Sequence, residues 1–238
     1  MSHVQNLQSF DKVIRICTGL GGTYNPGQQN LQVNAMTTQL NIAQQIWEEV
    51  KAAQQAYDNA TNARELGFIK IRKLSSDVYN MLKVSSANEL LLKDALNSKR
   101  RIWGARITKP PATTTEAAEV PKPSRPSYGQ AYVVTAEYFD RLVKTVASES
   151  GYAPNEPHLT VAGLQQTLAE LFGLNEAVLA AETRLEEARS KRNAAYYLAS
   201  ENLVRTANAV RSYVRSVFGF QSQEHQLLSK LRFTKPVL

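Results

Sequence analysis

Cysteine, glycine and long apolar runs are scarce in this sequence, and each shortage excludes something. The single cysteine, Cys17, rules out a disulfide within the chain and makes a reducing cytoplasm the expected compartment. No run approaches the roughly 18 apolar residues that a membrane-spanning helix requires, so none is expected. The basic and apolar patch at residues 12–16 lacks the long apolar centre and small-residue cleavage site of a signal peptide. Glycine, at 11 of 238 residues, is too sparse for a loop-rich fold.

The residues of catalysis are equally thin. His3, His158 and His225 lie far apart, and none is spaced with a cysteine or histidine as a zinc ligand would be. No serine, cysteine or histidine can be set into a nucleophile–base arrangement from spacing. Glu48-Glu49 and Glu186-Glu187 are adjacent pairs, and adjacent helical residues point to different sides, which suits solvated faces better than an acid–base pair. The chain is poor in the Glu-x-x-His pattern of di-iron bundles. Residues 18–23, Thr-Gly-Leu-Gly-Gly-Thr, resemble a phosphate loop but follow no strand and contain no Gly-Lys-Ser/Thr. The expectation is a non-enzyme with no catalytic residue, no cofactor and no metal.

Alanine, leucine, glutamine and glutamate are abundant, and all favour helix. Apolar residues recur in steps of three and four through Val33, Met36, Leu40, Ala43, Trp47, Val50, Tyr57, Phe68, Ile71, Val78 and Leu82. A second series runs Val161, Leu164, Leu168, Leu171, Val178, Leu185, Tyr196, Ala199, Leu203, Val210, Tyr213 and Val217. The two series belong to a self-similarity at a shift of 128. Tyr24-Asn-Pro26 meets Tyr152-Ala-Pro154, Leu31-Gln-Val33 meets Leu159-Thr-Val161, and Arg64 meets Arg192. At a shift of 126, Arg106-Ile-Thr-Lys-Pro110 meets Arg232-Phe-Thr-Lys-Pro236. This closing element reads equally as a docking tail or as a helix exit stopped by proline.

The expected fold is therefore all-α, with two tandem repeats. Each is a long amphipathic helix followed by a short C-terminal one, the pair packed antiparallel as an elongated bundle. The divisions are an N-terminal extension at 1–23, repeat 1 at 24–110, a proline- and threonine-rich linker at 111–128, a short helix and connector at 129–151, and repeat 2 at 152–238. Within the connector, helix is expected from about residue 135 to 148. A continuous helix of roughly 50 residues would span about 75 Å. The alternative is a compact four-helix bundle of two hairpins turning near Asn62 and Ser190. Ser86 and Glu89 have capping-box spacing, and Ser222 suits the cap of a short last helix. Residues 36–63 hold one basic against three acidic side chains, and 64–109 hold eleven against four. The second copy repeats the trend, two against seven over 129–183 and ten against four over 184–238. Acidic starts and basic ends suit the helix dipole and antiparallel pairing alike.

Arg64 and Arg192 sit at equivalent places on the apolar seams, either with their stems packed and their heads in solvent or as a register-setting layer paired with carboxylates. With Trp47, Tyr57, Tyr196 and Tyr213 they form the candidate interface. Lys99, Arg100, Arg101, Trp103 and Arg106 mix cations with an aromatic, and Arg205, Arg211 and Arg215 make another basic series, so these are the candidate polyanion contacts. With a formal net charge of +7, polyanions are favoured partners. The leading expectation is a structural or assembly protein acting through helix-mediated self-association or a protein partner. Nucleic-acid binding through basic helical faces is the runner-up, and a membrane-active helical protein is the third reading.

Overall fold

The structure, a computed structural model, describes residues 3–104 and 128–234, and these are helical with no strand. The helices are α1 (His3–Gly19), α2 (Val33–Ile69), α3 (Ile71–Val84), α4 (Glu89–Ile102), α5 (Tyr128–Ala147), α6 (Val161–Asn193), α7 (Leu203–Phe218) and α8 (Gln223–Ser229). Short 3-10 turns at Gly21–Thr23 and Gln29–Leu31 lead into α2, and a π turn at Ala194–Leu198 prolongs α6. Apart from Tyr128, where α5 begins, the linker expected at 111–128 lies outside the described residues, as does Arg106.

The two hydrophobic seams explain the long helices. Met36, Leu40, Ala43, Val50 and Phe68 are buried on α2, and Leu164, Leu171, Val178 and Leu185 on α6. Burying each large apolar side chain contributes about 1.5–3 kcal/mol, far more than intrinsic helix propensity. Asn62 and Ser190 lie inside α2 and α6, so neither is the turn of a hairpin. A continuous helix of about 50 residues is not formed either. Lys70 separates α2 from α3 while keeping helical dihedrals of −79° and −17°. In the second half, residues 199–202 separate the π turn from α7. A π turn holds an extra residue and shifts the helical phase. Tyr196 and Tyr197 are consequently both buried, and Ala199, placed on the seam by spacing, falls beyond the helix end and is exposed. Val217 is exposed as well, because Val214 already closes the buried stripe in the last turn of α7.

The chain divides into two compact units, and the boundaries fall within α2 and α6. Unit 1 comprises Met1–Ala56 and Glu182–Leu238. Here α1 packs on α7 and α8, which also pack on each other. Phe10, Val13, Met36, Tyr196, Leu203, Val210 and Leu228 form the centre of its core. Cross-contacts run antiparallel along α2 and the end of α6: Tyr196 Oη donates to the Ala43 carbonyl at 3.0 Å, Lys191 Nζ lies 3.5 Å from Glu49 Oε2, and Arg189 Nη2 donates to Gln54 Oε1 at 3.0 Å. Tyr24 Oη donates to the Leu31 carbonyl at 2.7 Å and closes the loop before α2. Gly219 ends α7 at φ +93°, a conformation that glycine adopts without strain, and Ser222 Oγ caps α8 by accepting from the His225 amide.

Unit 2 comprises Tyr57–Ala181, with α3, α4 and α5 packed on one another. Ile71, Val78, Leu82, Ala95, Phe139, Leu142 and Leu171 occupy its core. Gly67 lets α6 approach closely, since a Cβ there would stand 2.4 Å from Leu174 Cδ1. Tyr152 Oη donates to the Leu159 carbonyl at 2.9 Å, closing the loop before α6. Asn88, not Ser86, caps α4, its Oδ1 accepting from the Leu91 amide at 2.9 Å. Helix α5 starts at Tyr128, well before residue 135, and buries Ala136, Phe139, Leu142, Val143 and Val146.

Candidate functional site

The α4–α5 seam of unit 2 is amphipathic in an uncommon way. Its buried side is aliphatic, while its rim gathers cations around tyrosines. The Arg101 guanidinium lies 5.7 Å and that of Arg141 5.1 Å from the Tyr138 ring centre. Lys83 and Lys99 approach Tyr79 at 4.9 and 5.0 Å. A ring quadrupole attracts each cation, but two cations around one ring also repel one another. Beside Tyr138 opens a groove of about 510 Å³ lined by Asp94, Asn97, Ser98, Arg101, Arg141, Lys144 and Thr145. Lys144 is held by Asp140 at 2.6 Å, whereas Arg101 and Arg141 form no ion pair among the described residues. At the end of α4, half-exposed Trp103 donates from Nε1 to the Arg72 carbonyl at 3.1 Å, which fixes the ring plane.

Unit 1 holds a different cluster, built around its π turn. Asn6 Nδ2 donates to Tyr197 Oη at 3.0 Å, and His3 Nδ1 lies 2.9 Å from the same oxygen. The Tyr197 oxygen stands between the Asn6 amide and the His3 ring, and the direction of the His3 bond follows the tautomer of the imidazole. Burial first, and the Arg192 charge second, hold His3 below its ordinary value. Its ring also meets Trp47 and Tyr197, each at 5.9 Å. Asn6 further donates to the Thr234 carbonyl and accepts from the Thr234 amide at 2.9 and 3.1 Å. With Ser9 Oγ donating to the Arg232 carbonyl, the described part of the second Arg-x-Thr-Lys-Pro element lies along α1. Burial pushes Tyr196 and Tyr197 up and so keeps both hydroxyls protonated. A groove of about 750 Å³ opens between α1 and α2 beside Trp47, and its charged lining is already paired, Glu48 with Lys51 along α2 and Asp11 with Arg15 along α1.

The residues singled out by spacing scatter between these places. Trp47, Arg192 and Tyr196 meet in the unit 1 cluster, where Arg192 Nε and Nη2 donate to Asn193 Oδ1. Tyr213 packs edge-on against Tyr24 at 5.3 Å. Arg64 is 7% exposed, stacks on Tyr132 at 4.5 Å, and its Nε has no hydrogen-bond partner among the described residues. Tyr57 is half-buried in unit 2. Lys99 and Arg101 are parts of the α4 rim, Arg100 is exposed beside them on the same last turn, and Trp103 follows at the helix end against Arg72. Arg211 is a clamp: Nε donates to the Leu228 carbonyl at 3.0 Å and Nη2 to the Leu231 carbonyl, at the C-terminal end of α8. Arg215 stacks on Phe220 at 5.0 Å, and Arg205 is exposed. Spacing set Tyr138 on the stripe of the connector helix without giving it a site, and it missed Arg141 and Lys144, which lie in the acid-rich stretch 129–183, and Asn6 and Tyr197, whose importance comes from their partners.

Fold and site together define an all-helical bundle with a cation-rimmed groove, and no helix among the described residues is long and apolar enough to cross a membrane. No protein-family model, curated protein or solved structure matches the chain.

Proposed function

We propose that this chain is a non-enzymatic assembly protein built from a duplicated helical module whose two copies exchange halves. The observation that carries this reading is the pairing of elements. If α1 to α4 form one copy and α5 to α8 the other, α1 packs on α7 and α8 while α5 packs on α3 and α4. Each compact unit thus joins the start of one copy to the end of the other, as subunits do in a swapped twofold dimer. The copies then begin earlier than Tyr24 and Tyr152. Leu7, Phe10, Val13, Ile14 and Cys17 on α1 have buried counterparts 129 positions on in Ala136, Phe139, Leu142, Val143 and Val146. The Tyr24–Leu31 and Tyr152–Leu159 hydrogen bonds repeat at 128. Ile71, Val78 and Leu82 have buried counterparts at 132 in Leu203, Val210 and Val214. The step from 128 to 132 falls where the π turn and residues 199–202 add length.

A module that pairs with its own duplicate carries a self-complementary face, so a second copy of the chain is the partner this reading selects. Leu66 and Ile69, one turn apart on α2, stay 66% and 64% exposed, and Leu179 on α6 stays 58% exposed. Such side chains are associated with interaction surfaces when they group. Light scattering on the full chain across about 5–100 µM tests the proposal. The expected mass is a multiple of the 26.5 kDa protomer, reduced by the double substitution Leu66→Gln/Ile69→Gln. A single protomer mass at every concentration overturns it.

A further inference from the structure

We propose that the α4–α5 groove of unit 2 binds the phosphate backbone of a single-stranded nucleic acid. This assigns a ligand to a site that the assembly reading leaves unused, and it stands on separate observations. Arg101 and Arg141 are both exposed, both within 5.7 Å of the Tyr138 ring centre, and in no ion pair among the described residues. Two guanidinium groups gathered at one ring repel each other, and a bridging phosphate turns that repulsion into attraction from both sides. Their forked N–H groups match phosphate oxygens in a bidentate way, and contact with the ring limits the side-chain freedom lost on binding.

The surroundings narrow the ligand. Helices α3 and α4 carry seven Lys or Arg against three carboxylates. The groove, about 510 Å³, is of small-ligand size. A concave slot receives a flexible strand. Duplex recognition instead uses a helix that projects into the major groove, and a membrane surface prefers a convex basic helix with an apolar face. Tyr138 itself lines the groove, half-buried beside the two arginines, whereas Trp103, two residues on from Arg101, faces another side of α4 and donates to the Arg72 carbonyl. The solvent-facing part of the Tyr138 ring supplies the aromatic surface for a base while phosphates follow the cations. The last-turn cations of α4 also complement its helix dipole. That role does not account for Arg141, which lies in the interior of α5.

The test is fluorescence anisotropy of a labelled oligodeoxythymidylate of about 15 nucleotides titrated with the full chain at about 50 and 200 mM salt. Wild type, Arg101→Ala/Arg141→Ala and the charge-matched Arg205→Ala/Arg215→Ala are compared. Circular dichroism confirms equal helicity, which the exposure of all four side chains favours. The groove variant should weaken binding at least about tenfold and flatten the log–log salt slope by about 1.4, the value for two phosphate contacts on a single strand. The charge-matched variant should weaken it less than about threefold, and Trp103→Ala, off the groove, should do no more. Equal losses in the two double variants overturn the proposal, as does the absence of wild-type binding at the lower salt. Binding to phosphatidylserine vesicles with none to the oligonucleotide also overturns it.

Discussion

Unit 1 and unit 2 are built from similar elements yet treat their buried polar groups differently. In unit 1 the amide of Asn6 is bonded on both sides, to Tyr197 and to the Thr234 backbone, and the Tyr196 hydroxyl is bonded to Ala43. In unit 2 the buried Thr61 Oγ1, Arg64 Nε and both polar atoms of the Asn175 side chain lack partners among the described residues. A buried polar group without a hydrogen bond costs about 1–3 kcal/mol, so the two interiors differ in how firmly they specify their packing. Unit 1 is closed by polar contacts that also secure the chain after α8. Unit 2 keeps uncompensated groups inside and unpaired arginines on its rim. The difference teaches that similar apolar stripes can support one region devoted to rigidity and another with polar capacity in reserve.

The sharpest way to break the comparison is a methyl group in the first turn of the long helices. Gly163, in the first turn of α6, is so close to the Pro157 carbonyl that a Cβ would stand 2.1 Å from the oxygen. Backbone cannot swing aside as a side chain does, so Gly163→Ala should cost about 3 kcal/mol, lowering Tm by roughly 6–12 °C. The residue 128 positions earlier is Ala35, which already carries that methyl group. Ala35→Gly should cost only about 1 kcal/mol, the helix propensity difference. Thermal melts followed by circular dichroism measure both, and similar losses would show that the two helix starts are packed alike.

Next in size is Asn6→Ala. It deletes the bonds to Tyr197 and to both backbone groups of Thr234, and about 2 kcal/mol of stability should go with them in urea denaturation. Smaller again are Tyr24→Phe and Tyr152→Phe. Each leaves one carbonyl, at Leu31 or Leu159, without its hydroxyl donor and should cost about 1 kcal/mol. Burial pushes Tyr152 up to about 12 and Tyr24 up as well, so both hydroxyls remain donors across the usable pH range. The proposed duplication predicts losses matching within about 0.5 kcal/mol, and a marked inequality would mean that the two loops differ in energy despite the matching hydrogen bond.

Helix type and the seam positions were legible because a 3.6-residue period leaves a direct trace in sequence. Met36, Leu40, Leu164 and Leu171 are buried as their spacing implied. The partner of each face was not legible: periodicity says which side of α1 is greasy, not that it meets α7 and α8. The α1–α5 correspondence on which the proposed duplication draws also hides from a comparison made at one fixed shift, because it is read at 129 while the neighbouring loops match at 128. The π turn has no compositional signal, so seam positions beyond it, such as Ala199, were misplaced. Half of the candidate groove was visible in Lys99, Arg100 and Arg101. Arg141 was concealed by the acidic residues that surround it in sequence, and only tertiary packing brings it to Tyr138.

Arg64 offers a smaller test that separates the two interiors. Its Nε is buried without a partner, and its guanidinium rests on Tyr132. In Arg64→Met the cation–π contact is lost, but so is the cost of keeping a charge inside, and the apolar stem is retained. The net change should stay within about 1 kcal/mol, against about 2 for the fully bonded Asn6. A loss in Arg64→Met as large as that of Asn6→Ala would mean that unit 2 depends on its buried polar groups as much as unit 1 does.

The smallest effect is expected from pH. Burial and the neighbouring Arg192 hold His3 below its ordinary 6.5 in the folded chain. The unfolded chain therefore binds more protons in the window just below that value. The stability linked to neutral His3 is complete above about 6.5 and is lost as pH falls through the lowered folded value. His3 is substantially solvated, so the loss between about pH 7.5 and 5.5 should amount to less than about 2 °C in Tm. Carboxylates elsewhere also titrate on acidification, so the informative quantity is the difference between wild type and His3→Gln across that interval. The variant should melt less pH-dependently, since glutamine retains polar contact with Tyr197 without a proton to gain. Identical pH profiles would show that the imidazole next to the unit 1 π turn carries no linked proton, and that the closed polar interior of that unit is insensitive to charge at its edge.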